Sequence, residues 1–143
     1  MTKTKHTTTT TQTMKRAFPT LSKDENGAFQ AEVEPGAQFT ALMGTRSQEA
    51  ASGIFTTAIT ALGVSAEQFC SMASAMFAEL EPNDAIEAML IAQMTATHVA
   101  MTTLVERMSY QENYPVRESY ERSTTRLSRT YLAQMDALKK YRA

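Results

Sequence analysis

The fold is decided by residues 84–142, which read DAIEAMLIAQMTATHVAMTTLVERMSYQENYPVRESYERSTTRLSRTYLAQMDALKKYR. Along this stretch, positions suited to a helix seam recur at alternating steps of four and three, the spacing of a helix packed lengthwise against a neighbour. The two series are Leu90, Met94, Thr97, Met101, Leu104 and Met108, and then Tyr120, Thr124, Leu127, Tyr131, Gln134, Leu138 and Tyr141. The Asn113-Tyr114-Pro115 corner between them predicts an antiparallel helical hairpin over 84–142.

Capping signals predict where the helices begin. Three pairs fit the capping box, in which two side chains satisfy free N–H groups of the first turn: Thr45 with Gln48, Ser65 with Gln68, and Asp84 with Glu87. Val64 and Phe69 are spaced for a hydrophobic staple around Ser65, Gly63 suits a C-cap, and Pro115 suits a first turn. The predicted helices are 46–62, 66–80, 84–112 and 115–142, with room for a short helix at 37–43.

The N-terminal region differs in composition from the rest. Residues 1–13 contain eight threonines and no apolar residue except Met1, so we expect a mobile tail. Residues 14–36 hold several turn formers and predict an extended arm with one short strand or helical turn, which Phe18, Leu21, Phe29 and Val33 would attach to the body. We therefore predict an all-α small helical bundle (37–143) with a disordered or extended, Thr-rich N-terminal arm (1–36).

Composition limits the functional classes. The chain has 143 residues, 43% hydrophobic and 20% charged, close to globular averages. No apolar run reaches the roughly 18–20 residues of a membrane-spanning helix and no secretory signal is apparent, so we expect a cytoplasmic protein that does not engage a membrane. One cysteine and two histidines predict no disulfide and no metal. Phosphate-loop, dinucleotide, zinc-protease and serine-hydrolase motifs are absent, so we expect no enzyme, cofactor or small-molecule substrate.

Charge is unevenly distributed along the chain. Residues 17–114 carry a net charge of −9, whereas residues 115–143 carry +4. On the last predicted helix, four basic residues project away from the apolar seam: Arg122, Arg126, Arg129 and Lys140. Guanidinium groups at this spacing can bind phosphates or an acidic partner. The alternative is a solvated helix face, because Glu118 and Asp136 lie in the same sector.

Ten methionines are many for this length. Methionine adapts to irregular gaps and is used at exchangeable helix interfaces as well as in cores. The candidate interface residues are Met89, Met94, Met101, Met108 and Tyr131. A second face of the 84–112 helix, containing Ile86, Met89, Gln93, Ala96 and Ala100, is also fairly apolar, which predicts a central helix or one covered by self-association.

Two reactive side chains fall on predicted helices. His98 lies one position from the seam and has no carboxylate or serine at helical spacing, so a structural histidine is favoured over a catalytic one. Cys70 lies near a helix start, and an inert, partly buried thiol is favoured over a reactive one.

The hairpin also resembles a family of bacterial proteins of unassigned activity that occur in genomes rich in mobile elements. The resemblance covers residues 80–142 and is carried by EPND at 81–84, EAML with AQM and His98, Glu112-Asn113 before Pro115, and LSRTY, AQM and ALKKYR at the end. It implies the hairpin and no activity, and it suggests polar pairing inside the bundle for His98, Gln93 and Gln134. Family members continue past the final arginine into a Gly-containing, β-prone tail.

These observations favour a non-enzymatic helical module for protein–protein interaction or oligomerisation, of a phage or mobile element, whose partner is a second copy or another protein. The alternative is a nucleic-acid-associated accessory protein that uses the basic stripe of the last helix. A third hypothesis, occupation of a basic site on a target, rests only on the acidic central segment.

Overall fold

The computed structural model describes residues 16–32 and 38–143. Over these residues the chain forms a small antiparallel sheet and five α-helices: β1 (Thr20–Lys23), β2 (Phe29–Glu32), α1 (Phe39–Met43), α2 (Gln48–Thr60), a 3₁₀ turn (Gly63–Ser65), α3 (Ala66–Leu80), α4 (Ala85–Tyr110) and α5 (Tyr114–Arg142). The predicted helical bundle with a long C-terminal hairpin is confirmed. The tail predicted at 1–13 and the contact predicted for Val33 lie outside the described residues.

The N-terminal arm contains a β-hairpin, where the sequence predicted a single strand or helical turn. Strand β1 pairs with β2 so that Leu21 is opposite Ala31. The turn forms because the Asp24 carboxylate accepts two backbone hydrogen bonds of 2.9 Å, from Asn26 and Ala28. Gly27 completes the turn with a φ of 79°.

This β-hairpin is attached to the bundle by strand β1. Leu21 packs against both groups of buried core residues. The hydroxyl of Ser74, on α3, donates a buried hydrogen bond of 2.9 Å to the Pro19 carbonyl. Strand β2, in contrast, is solvent exposed at all four residues.

The starts of α2 and α3 differ from prediction. Ser47, not Thr45, caps α2, because its Oγ accepts from the Ala50 N–H at 3.1 Å while the Thr45 hydroxyl donates to the Ser47 carbonyl. At α3, the Ser65 hydroxyl makes no cap hydrogen bond. The chain enters α3 through a 3₁₀ turn in which Ser65 already has helical backbone angles, so it is not an extended N-cap residue. Val64 is 88% exposed, and the predicted staple is therefore wrong.

The starts of the hairpin helices agree closely with prediction. Asp84 caps α4 by accepting from the Glu87 N–H at 2.9 Å. Asn113 caps α5 by accepting from the Val116 N–H at 3.3 Å, and Pro115 lies in the first turn. The Asn113 cap therefore lies at the corner between the two helices, whereas the Asp84 cap lies at the base of the hairpin.

Helix α4 is central in the bundle and contacts α2, α3 and α5. The face that packs on the body is not the predicted one. Its buried residues are Ala88, Ile91, Ala92, Thr95 and Val99. The predicted second face is solvent exposed at Ile86, Met89 and Gln93, because α2 and α3 both lie on the opposite side.

Among the described residues, α4 is also the one helix long and apolar enough to cross a membrane by length and composition alone. Its 18-residue window has a mean hydropathy of 1.3 and is 33% buried within the protein. The sequence prediction considered only uninterrupted apolar runs and did not detect this window. The central helix of a bundle can also be long and apolar enough to cross a membrane. Helix α4 packs against three other helices, which is the arrangement expected of such a central helix.

Helix α1 ends against the loop between α3 and α4. Gly44 adopts a φ of 67°, and a Cβ there would lie 2.1 Å from the Pro82 carbonyl oxygen. The Arg16 guanidinium bridges the same region by donating to the carbonyls of Leu42 (3.1 Å) and Pro82 (2.6 Å). Close approach and hydrogen bonding therefore join α1, the α3–α4 loop and the segment before β1.

Candidate interaction surfaces of the helical hairpin

The seam between α4 and α5 follows the predicted heptad spacing. On α5, six of the predicted seam positions are buried or half-buried: Tyr120, Thr124, Leu127, Tyr131, Gln134 and Leu138. The seventh, Tyr141, is exposed, and its hydroxyl donates to the Asp84 carboxylate at 2.7 Å. The spacing therefore identified the contact line between the two helices.

Burial along the hairpin is strongly asymmetric. Near the base, α4 is packed by α2 and α3, and the Ser65 hydroxyl reaches Thr103 at 3.1 Å. From Leu104 to Arg129, the described side chains make no hydrogen bond or ion pair outside the hairpin. No residue between 100 and 137 is buried. We call residues 100–129 the hairpin arm, a two-helix projection that extends about 16 Å beyond Val99 along α4.

The candidate interface methionines are divided between core and surface. Met94 is 8% exposed and belongs to the larger core group, so it cannot meet a partner unless the bundle opens. Met101 and Met108 are half-buried on the seam of the hairpin arm, and Met89 is exposed near the base of α4. Of this set, the arm therefore presents Met101 and Met108.

His98 and Tyr131 meet at the edge of the seam. Their ring centroids are 6.2 Å apart, at an interplanar angle of 48°. Tyr131 packs against the core, whereas His98 is exposed. This contact is an inter-helix ring pair, and no serine or carboxylate partner for His98 is seen in residues 16–32 and 38–143.

The polar pairing expected for Gln134 and Gln93 is not found. The Gln134 side-chain oxygen is buried and has no hydrogen-bond partner among the described residues. Gln93 is exposed on the outer face of α4. The expected polar pairing is therefore wrong for the Gln134 side-chain oxygen and for Gln93.

The basic stripe on α5 separates into two parts. Arg122, Arg126 and Arg129 are exposed and line a shallow depression with Glu118, Glu121 and Thr125. Within the described part of the chain, none of these three arginines forms an ion pair. The arm thus presents three free guanidinium groups on its outer face.

Lys140 does not belong to that group. Its ammonium pairs with Asp136 at 2.7 Å, and this hydrogen bond and the carboxylate charge raise the pKa of Lys140. It lies eleven residues beyond Arg129, or roughly 17 Å along the helix. One ligand that contacts all four basic residues would therefore have to be extended.

The base of the hairpin is closed by contacts that the sequence did not predict. Arg142 donates to the carbonyls of Leu80 and Glu81 and to Glu87 Oε2 at 3.2 Å. Glu87 Oε2 also accepts from the Asn83 N–H at 2.7 Å. The available signals were a basic residue in the last turn of α5 and a carboxylate three residues after Asp84, but only the fold brings them together.

Neither a metal site among the described residues nor a similar known protein indicates what the hairpin does. Over residues 16–32 and 38–143, no cluster of three or more His, Cys, Asp or Glu side chains is placed to hold a metal ion. The chain matches no protein-family model, and neither curated proteins nor solved structures show a significant similarity to it.

Proposed function

We propose that this protein is a non-enzymatic oligomerisation module whose hairpin arm packs against the arm of a second copy. The observation that carries this proposal is the absence of buried residues between 100 and 137, although an apolar seam runs through that stretch. In a stable four-helix bundle, such seam positions are covered by two further helices. The arm of one second copy would supply these two helices.

Exposed apolar side chains beside the seam support this proposal. Val105, in the arm, is 46% exposed, and on α5 just beyond the arm Leu132 is 60% exposed and Met135 is also exposed. Val105 and Met135 lie three or four residues from seam positions, where a second hairpin would bury them. Charges of both signs flank them, since Glu106 and Glu112 precede the arginines of α5 in the same arm. An arm can therefore complement an inverted copy of itself.

The proposal is tested by placing a charge in the expected interface. Val105→Glu should shift the oligomer to monomer in sedimentation equilibrium without lowering helix content. Ile86→Glu is the matched control, because Ile86 is 48% exposed on the same helix but lies near its N-terminus, outside the arm. Dissociation by Ile86→Glu alone would assign the interface to the outer face of α4 and overturn the role of the arm.

A second candidate is nucleic-acid association through the arm. It is favoured by the three exposed guanidinium groups of Arg122, Arg126 and Arg129. Phosphate contacts release counterions, so binding of a random duplex should weaken steeply as salt is raised. Fluorescence anisotropy with Arg126→Gln should show a smaller salt slope, whereas Arg117→Gln serves as a control on the same helix. Absence of binding at low salt excludes this candidate.

We further propose that the protein is cytoplasmic and that it belongs to a phage or mobile element. The free Cys70 thiol is buried, which suits a reducing compartment. The resemblance of the hairpin to bacterial proteins from genomes rich in mobile elements supports the second assignment.

A further inference from the structure

A cleft lies between the β-hairpin and α2, away from the hairpin arm. It has a volume of about 580 Å³ and shares no residue with the arm. Strand β2 and helices α1 and α2 form most of its walls. This volume falls within the range of small-molecule sites, about 300–1,000 Å³.

The cleft exists because β2 does not pack on the body. Residues alternate between the two faces of the β-hairpin, and one face presents Leu21, Phe29 and Ala31 toward α2. Leu21 reaches the core, but Phe29 and Ala31 remain exposed. Protein interiors are normally close-packed, so an apolar sheet face that stands off from its helix leaves room for another molecule.

The wall formed by α1 and α2 is apolar at its base and carries side-chain hydroxyl groups along one side. Phe39 and Phe55 make an edge-to-face contact with centroids 5.0 Å apart, which shapes one end of the cleft. The side chains of Ser52, Thr56 and Thr60 follow one another at steps of four along α2 and line the cleft. These hydroxyls can donate or accept hydrogen bonds along the length of a ligand.

The lining selects for a neutral ligand. No charged side chain of the described residues lines the cleft. The nearest cation on the same sheet face, Lys23, lies 5.6 Å from the Phe29 ring centroid and is neutralised by Glu67 at 2.9 Å.

We propose that this cleft binds one neutral, largely apolar small molecule, with an aromatic or aliphatic body against Phe29, Phe39 and Phe55 and a hydrogen-bonding group at the hydroxyl row of α2. This site is independent of self-association, because no cleft residue belongs to the hairpin arm.

The test uses the full chain and the neutral fluorescent probe N-phenyl-1-naphthylamine. The expected result is saturable binding of one probe per chain and a rise in melting temperature with probe concentration, because a ligand that binds only the folded state stabilises it. The anionic probe anilinonaphthalene sulfonate should compete poorly, since no cation lines the cleft. Absence of saturable binding by the neutral probe would overturn the proposal.

Two neighbouring residues of β2 provide a matched pair of variants. Ala31→Trp fills the cleft and should weaken probe binding by about tenfold or more, whereas Gln30→Trp places the same side chain on the opposite face and should leave binding unchanged. If Ala31→Trp fails to fold, as judged by circular dichroism, Thr56→Trp fills the cleft from the exposed side of α2. Equal effects of the filling and control variants would contradict the assignment of the site.

Discussion

The guanidinium of Arg142 donates to the Glu87 carboxylate at 3.2 Å, which closes the last turn of α5 onto the first turn of α4. Glu87 is 3% exposed, and its buried carboxylate accepts this hydrogen bond together with one from the Asn83 N–H. The hairpin is therefore held at its base by a polar cluster, while its arm extends beyond the bundle.

Removing the Arg142 side chain should destabilise the protein. Arg142→Ala leaves the buried Glu87 carboxylate with one partner and removes a donor from the Leu80 carbonyl. We expect a loss of about 1–3 kcal/mol in the free energy of unfolding, measured by urea denaturation, because an unmet buried polar group carries a desolvation cost of this size. Lys139→Ala, three residues earlier on the same helix, should change stability little, and equal losses would contradict the role of the cluster.

Stability at acid pH should depend on Asp84. The Glu87 N–H and then the Tyr141 hydroxyl hold the pKa of the Asp84 carboxyl below its ordinary value of 3.8. A lowered folded-state pKa contributes stability that is present above pH 3.8 and is lost as pH falls through the folded value. Asp84→Asn keeps a capping side chain without the charge, so its urea midpoint should fall less than that of the wild type below pH 4. An identical acid dependence would contradict this assignment.

Gly44 should tolerate no side chain. Gly44→Ala requires a residue with a Cβ at φ 67° and places that atom 2.1 Å from the Pro82 carbonyl oxygen. Gly27→Ala also has a positive φ but meets nothing within 4 Å. Gly27→Ala should therefore cost about 1–2 kcal/mol from backbone strain, and Gly44→Ala distinctly more. Thermal denaturation of both variants measures the difference, and equal losses would show that the loop moves aside.

Gln134→Leu should stabilise the hairpin. The Gln134 side-chain oxygen is buried on the seam without a partner in the described residues, and leucine fits a heptad position. We expect a gain of about 1 kcal/mol in the free energy of unfolding. The control is Gln93→Leu, on the exposed face of α4, which should have almost no effect. A loss of stability in Gln134→Leu would show that the amide is satisfied in solution.

The sequence predicted the hairpin well because its signals are local. Asp84 and Asn113 cap helices with atoms only three residues away, and heptad spacing identifies a contact line without knowledge of the partner. The start of α2 was misplaced because Thr45 and Ser47 both carry suitable hydroxyls. Choosing between them depends on the backbone conformation that the rest of the fold imposes.

Longer-range features were not predictable from spacing. The outer face of α4 at Ile86 is as apolar as a core face, and only the positions of α2 and α3 decide which face is buried. The contacts of Arg16 and Arg142 with the α3–α4 loop join residues more than 60 positions apart. The cleft beside β2 forms because this strand lies apart from α2. The spacing of apolar residues in the sequence does not predict that separation.

The central claim is that the hairpin arm completes its seam with a second copy. Multi-angle light scattering of the full chain, over a range of concentrations and at low and high salt, tests this most directly. The account predicts a discrete mass of twice the 15.8 kDa chain that survives high salt, because the interface is apolar. A 15.8 kDa monomer at every concentration would contradict it.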